Sequence, residues 1–129
     1  MSVNADVLRR FLDKIQAGDY AGALAETHPD IVLDEPPALP QGGIFTGRDA
    51  PGRVKQIILG LWEQERGGLQ LWDSGEVVFM GRDITWTCRA TGKAAFCPVL
   101  EKFEFRDGMI ARITVYVKDE TALLATLTP

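Results

Sequence analysis

Across residues 4–17 apolar side chains return every three or four positions, at Val7, Leu8, Phe11, Leu12 and Ile15, which predicts an amphipathic helix closed by Gly18. Asp19 caps a short second helix, which reaches Ala25 and stops before Pro29 because the residue ahead of a proline resists helical geometry. Residues 31–35 then read as a strand. The next eight positions, Pro36-Pro37-Ala38-Leu39-Pro40-Gln41-Gly42-Gly43, hold three prolines and two glycines. They form a loop too apolar for a solvated linker and suited to lining or covering a pocket. Helical spacing resumes over residues 48–65, with Val54, Ile57, Ile58, Leu61 and Trp62 on the buried face and Pro51 in the first turn. After Gly67-Gly68 the pattern changes to strands, with runs at 69–80, 84–90, 94–105 and 109–118. Turns at Gly81-Arg82-Asp83, Thr91-Gly92-Lys93 and Arg106-Asp107-Gly108 separate them, and Asp119 caps a last helical segment to Leu124. This order predicts one α+β domain over residues 1–129, with helices packed on one face of a bent sheet.

Side chains alternate across a strand, so each strand has an apolar and a polar parity. Ile31, Leu33 and Glu35 share one face of the first strand, and Asp34 points away. Val99, Glu101, Phe103 and Phe105 share a face, with Lys102 and Glu104 behind them. A two-residue turn at Gly92-Lys93 sets Cys88 opposite Cys97, Trp86 opposite Val99 and Ile84 opposite Glu101. A three-residue turn at 106–108 sets Glu101 opposite Ile113 and keeps Arg112 outside. Two carboxyls, Glu35 and Glu101, thus follow the apolar parity. Burial among apolar groups favours their neutral form and raises their pKa, which is a mark of functional sites. An ordinary structural role stays open for both: Glu35 exposed at a strand end beside Pro36, and Glu101 paired with an arginine.

Fourteen Lys and Arg against eighteen Asp and Glu give a net charge of −4, with no basic run, so nucleic acid is not expected as a partner. No apolar stretch approaches the ~20 residues that cross a bilayer, and the N-terminal residues lack the basic and apolar regions of a signal peptide. A cytoplasmic location is expected. Cys88 and Cys97 lack CxxC spacing and are expected as free buried thiols, and no metal site is expected.

Four segments, Gln16-Ala17-Gly18-Asp19-Tyr20, Ile31-Val32-Leu33-Asp34-Glu35-Pro36, Gly43-Ile44-Phe45-Thr46-Gly47-Arg48 and Lys102-Phe103-Glu104-Phe105-Arg106-Asp107-Gly108-Met109-Ile110, occur in an order that resembles the NTF2-like superfamily. The likeness is to its ketosteroid isomerase-like and SnoaL-like polyketide cyclase branch, and it spans nearly the whole chain. It implies a cone-shaped, curved sheet of mixed pairing wrapped by about three helices around a pocket, a homodimer, and no cofactor. It places Glu35 at the general-base aspartate of ketosteroid isomerases and Glu101 at their protonated, oxyanion-binding aspartic acid. That protonated aspartic acid is itself a standard example of a carboxyl kept neutral by an apolar site.

The oxyanion tyrosine of those isomerases aligns with Phe11, which has no hydroxyl. Loss of one such donor costs a factor of about a hundred to a thousand in rate, which argues against a steroid isomerase. Scytalone dehydratase-like chemistry needs pocket histidines, and the only histidine, His28, precedes Pro29 in a connection. Limonene epoxide hydrolase-like chemistry needs an arginine between two acids, and Arg89 and Arg112 have outward parity. The expected activity is acid–base proton transfer next to a carbonyl of an apolar cyclic substrate. Glu35 and Glu101 are its candidate catalytic residues, and Phe11, Leu39, Phe45, Trp62, Phe79, Trp86, Val99, Phe103 and Ile113 the candidate walls. The alternative is a non-catalytic NTF2-like module that binds an apolar ligand or only dimerises. The enzyme reading calls for both carboxyls on one cavity of about 300 Å³ or more.

Overall fold

The computed structural model describes all 129 residues. In chain order they form α1 (Val3–Gln16), α2 (Tyr20–Leu24), β1 (Thr27–Glu35), β2 (Gly43–Thr46), α3 (Ala50–Leu61), β3 (Trp62–Asp73), β4 (Val77–Cys88), β5 (Ala94–Phe96), β6 (Val99–Arg106), β7 (Met109–Val117) and α4 (Glu120–Leu127). The seven strands make one curved, unclosed sheet in the order β2-β1-β7-β6-β4-β3, with β5 paired to β4. Only β1 and β7 run parallel. The mixed α+β architecture expected from the sequence is therefore present, with four helices.

Three helices start on side-chain caps. Ser2 accepts from the Ala5 N–H at 3.0 Å, Asp19 from Gly22 at 2.9 Å and Asp119 from Ala122 at 3.0 Å, each satisfying a donor that the helix leaves free. Ser2 also donates through its N–H and hydroxyl to the Asp73 carboxylate, both at 2.7 Å, which ties the start of α1 to the end of β3. The apolar stripe of α1, including Leu8 and Phe11, packs on Ile31, Leu33, Met80, Phe103 and Ile113 of the sheet. A second cluster at the other end joins Trp62, Trp86, Val99, Leu39 and Leu123. There Trp62 and Trp86 meet edge to face at 5.3 Å, and the Trp62 indole N–H donates to Thr126 Oγ1 at 2.8 Å. Each such large side chain contributes about 1.5–3 kcal/mol by leaving water.

The structure corrects three sequence expectations. Residues 62–65 are strand, not helix, because Arg89 closes α3: its backbone N–H donates to Leu61 O at 2.9 Å and its Nε to Leu59 O at 2.7 Å. Trp62 is buried in either period, so apolar spacing alone does not mark the change. Gly81-Arg82-Asp83 is not a turn but the middle of β4, where Gly81 gives room to the Trp72 ring: a Cβ on Gly81 would lie 2.9 Å from it. The reversal falls at Ser74-Gly75-Glu76, where Asp73 accepts from the Gly75 N–H and Ser74 donates to Val77 O.

The third correction concerns register. Trp86 faces Ala95 and not Val99, and Met80 rather than Ile84 faces Glu101, a slide of four residues. The connection closes as a longer loop, with Gly92 N–H on Cys88 O and Cys88 N–H on Lys93 O, and Pro98, which has no N–H, separates β5 from β6. Cys88 and Cys97 are free and buried. Between β6 and β7 the turn has two residues, Asp107 and Gly108, both left-handed with φ of 55° and 72°, as a type I′ hairpin turn requires. A bulge at Ala111 follows, which sets Glu101 opposite Val115 rather than Ile113. Both slips are even-numbered, so Trp86, Val99, Glu101, Ile113 and Val115 keep their expected inward face.

The Pro-rich loop folds back on itself through Leu39 N–H on Pro36 O and Gly42 N–H on Leu39 O at 2.8 Å. A Cβ at Gly42 would collide with the carbonyl oxygens of Pro36 and Leu39. Gly42→Ala is expected to cost about 2 kcal/mol or more, read as a lower denaturant midpoint at unchanged slope.

Candidate functional site

Between the concave sheet face and helices α1 and α3 lies a cavity of about 220 Å³. Phe11 and Ile15 of α1 and Val54 and Ile58 of α3 form its helical side. Met80, Ile84, Trp86, Val99, Phe103, Ile113 and Val115 form the sheet side. Both Glu35, at the end of β1, and Glu101, in β6, line it. The volume falls short of the 300 Å³ set as a guide, so the cavity suits one or two rings and not a steroid. A larger groove of about 590 Å³ lies on the opposite face of the sheet, beside Trp72, Leu100 and Tyr116, and holds neither glutamate.

Parity explains the placement. Glu35 stands two residues beyond Leu33 on the inward face and is 5% exposed, while Asp34 points out and pairs with Arg112 at 2.7 Å. Glu101 sits two residues from Val99 and from Phe103 on the same inward parity and keeps partial contact with solvent along the cavity. Of the expected walls, Phe11, Trp86, Val99, Phe103 and Ile113 line the cavity. Leu39 and Trp62 lie behind Trp86 in the second cluster, and Phe45 packs at the edge of the first with Arg53 stacked on its ring. Phe79 falls on the outer parity, one residue from Met80.

Five polar residues of the lining went unrecognised in the sequence: Gln41, Lys55, Gln64, Arg66 and Arg82. Lys55 and Gln64 fell in the segment assigned to helix, Arg66 in the gap between that helix and Gly67-Gly68, and Arg82 in an assigned turn, so no strand face was given to them. The β4 register places Arg66 beside Ile84 and Gln64 beside Trp86, which is the inward parity. The sequence reading weighed only Arg89 and Arg112 for a place between the two acids, whereas Arg66 and Arg82 are the arginines that line the cavity. Gln41, from the Pro-rich loop, is 1% exposed and its Oε1 has no hydrogen-bond partner, a state that costs about 1–3 kcal/mol.

The two carboxyls differ in surroundings. Burial, then the negative charges of Glu101 and Asp34, push Glu35 up to about 8. Burial also raises Glu101, but the positive charges of Arg66 and Arg82 oppose it. Glu35 therefore keeps its proton at pH 7, and the two arginine charges, which favour a carboxylate, act on Glu101 and not on Glu35. The isomerase resemblance implies the carboxylate at Glu35 instead.

No protein-family model and no curated protein sequence matches the chain. Solved structures do. An NTF2-like protein from Burkholderia thailandensis E264 superposes with a TM-score of 0.86 at 21% identity, covering 100% of both chains. A protein from Xanthomonas campestris pv. campestris, provisionally named a polyketide cyclase, gives 0.74 at 20% identity over 98% of this chain and 97% of its own. TerC, solved co-crystallised with polyporic acid, gives 0.80 at 18% identity over 98% of each chain. The chain thus has the NTF2-like fold. None of its helices is long and apolar enough to cross a membrane.

The raised Glu35 makes stability depend on pH. Its folded pKa, about 8, exceeds the ordinary 4.5, so its contribution is complete below pH 4.5 and is lost as pH rises through 8. The loss is on the order of 4 kcal/mol at about 1.4 kcal/mol per pH unit. Denaturant unfolding of the wild type should therefore weaken between pH 5 and 8, and Glu35→Gln should remove most of that slope and be the more stable protein above pH 8.

Proposed function

We propose that the protein is a cofactor-independent enzyme that moves a proton next to the carbonyl of a small ring compound, with Glu35 and Glu101 as its acid–base pair. The observation that carries this reading is two carboxyls on one apolar cavity, neither within salt-bridge distance of an arginine or lysine, one holding its proton at neutral pH. The fold shared with proteins provisionally named polyketide cyclases, and with the polyporic acid complex of TerC, supports a small cyclic ligand.

The surroundings of the two acids assign the roles: the arginine charges favour the carboxylate at Glu101, and burial with two negative neighbours favours the acid at Glu35. The Glu101 carboxylate takes the proton from the carbon beside the carbonyl, and the C–H electron pair moves into the new C=C bond as negative charge develops on oxygen. Neutral Glu35 donates to that oxygen, which supplies the hydrogen bond that Phe11 cannot. Return of the Glu101 proton to carbon or its passage to a leaving group completes the turnover. A proton-transfer group with its pKa near working pH is the efficient arrangement, and such catalysis is worth about 10²–10⁴ in rate. The alternative, a module that binds without turnover, draws on Phe11 and predicts binding that is indifferent to the ionisation of Glu101.

The test is deuterium uptake at the carbon beside the carbonyl of 2-tetralone in D2O, followed by NMR. Glu101→Gln should abolish enzyme-dependent exchange, a loss of about a hundredfold or more. Glu35→Gln, which keeps an N–H donor, should retain part of it. The wild-type rate above buffer should fall as pH rises through about 8. A rate that rises through that pH reverses the two roles, and exchange unaffected by both variants overturns the reading.

We propose that the homodimer implied by the resemblance forms through the outer sheet face, a reading supported by Trp72 and Tyr116, which are 49% and 50% exposed there. Sedimentation of the wild type should give twice the chain mass, and Tyr116→Asp should give the monomer; a monomeric wild type overturns this placement.

A further inference from the structure

We infer that the molecule this cavity takes is an oxyanion, a ring carboxylate or a comparably acidic ring compound, with its charge on Arg66 and Arg82 and a hydroxyl donating to Gln41 Oε1. This names the substrate class of the proposed active site and rests on that reading for turnover, though not for binding. The chain carries a net charge of −4, yet its cavity lining holds Lys55, Arg66 and Arg82 against only Glu35 and Glu101. Glu35 is neutral at pH 7, so the lining is cationic inside an acidic protein.

Neither arginine of the lining makes a salt bridge. Five guanidiniums elsewhere do, Arg10 with Glu26, Arg53 with Asp49, Arg89 with Glu63, Arg106 with Asp30 and Arg112 with Asp34, while Arg48 donates to Thr27 O and Arg9 is exposed on α1. Arg66 instead donates Nε and Nη2 to the neutral amide oxygen of Gln64, at 3.1 and 2.6 Å, and makes no salt bridge. Arg82 makes none either, and the repulsion between the two charges acts on Arg66 together with its burial. The acid that acts on the pair, Glu101, makes no salt bridge to either and offsets one charge of the two; the charge left over suits an anion, and a guanidinium fork matches the two oxygens of a carboxylate.

Gln41 is the independent observation. Its amide is 1% exposed, lines the same cavity and leaves Oε1 without a donor. Only an O–H or N–H brought by a ligand or a water satisfies it, and the ring molecule that places its charge at Arg66 and Arg82 brings a hydroxyl here. Arg66 is solvent-exposed while lining the cavity, which puts the cationic end at the opening and the ring inside, where Glu35 and Glu101 act.

The test compares 4-hydroxybenzoate, neutral 4-hydroxybenzamide and benzoate by NMR titration of the wild-type protein near neutral pH. 4-Hydroxybenzoate should bind about tenfold or more tighter than the amide, with an advantage that shrinks at high salt. Arg66→Gln and Arg82→Gln should each remove most of that advantage without weakening the amide, and Arg66→Lys should restore part of it. Gln41→Leu should weaken 4-hydroxybenzoate and leave benzoate unchanged. Equal binding of acid and amide, no binding of the acid, or variants that weaken both alike overturn the inference. Glu101→Gln separates it from the proposed reaction: that variant should bind 4-hydroxybenzoate as tightly or tighter while deuterium exchange is lost. Exchange that persists alongside equal acid and amide binding rejects the anion and keeps the enzyme.

Discussion

Two carboxyl groups facing one apolar cavity cannot both ionise cheaply. Each charge would lie in poorly hydrated surroundings and raise the cost of the other, so the pair sheds its protons in sequence. Much of the rest of the molecule serves this arrangement. The curved sheet brings the end of β1 and the middle of β6 to the same concave surface, and α1 and α3 cover it with Phe11, Ile15, Val54 and Ile58. Asp34, one residue from Glu35, is turned outward and holds Arg112 there, so the pairing of one acid outside leaves its neighbour without a cation inside.

The asymmetry between the two acids comes from the strands that flank them. Glu101 lies within the field of Arg66 on β3 and Arg82 on β4, whereas the charged groups that act on Glu35 are both negative. That difference favours the carboxylate form at Glu101 and leaves Glu35 its proton to about pH 8. A site with a carboxylate and a carboxylic acid side by side holds a base and a donor at once, without a metal or an organic group having to supply either.

Much of this was legible in the sequence because strand parity survives errors of register. The Cys88–Cys97 alignment was off by four residues and the turn at Asp107-Gly108 by one, with the bulge at Ala111 restoring an even slip, and Glu35, Glu101, Trp86, Val99 and Ile113 still lay on the inner face. What was lost was lost to ambiguous punctuation. Trp62 suits a helix and a strand equally, and the backbone and side chain of Arg89, distant in sequence, decide where α3 ends. Gly81-Arg82-Asp83 has turn composition, but Gly81 is there to admit the ring of Trp72. With strands read only after Gly67-Gly68, Arg66 had no face, and the assigned turn hid Arg82; theirs are the charges that favour the carboxylate at Glu101. Gln41 was hidden for another reason, since no periodicity governs a proline-rich loop.

The most direct measurement is a carbon-13 NMR titration of the glutamate side-chain carboxyls, with Glu35→Gln and Glu101→Gln used to assign the two signals. The account predicts a Glu35 midpoint near 8, later than that of Glu101, and a Glu35 midpoint that moves down when Glu101 is replaced by Gln. Two midpoints near the ordinary 4.5, unaffected by each other's substitution, would contradict it.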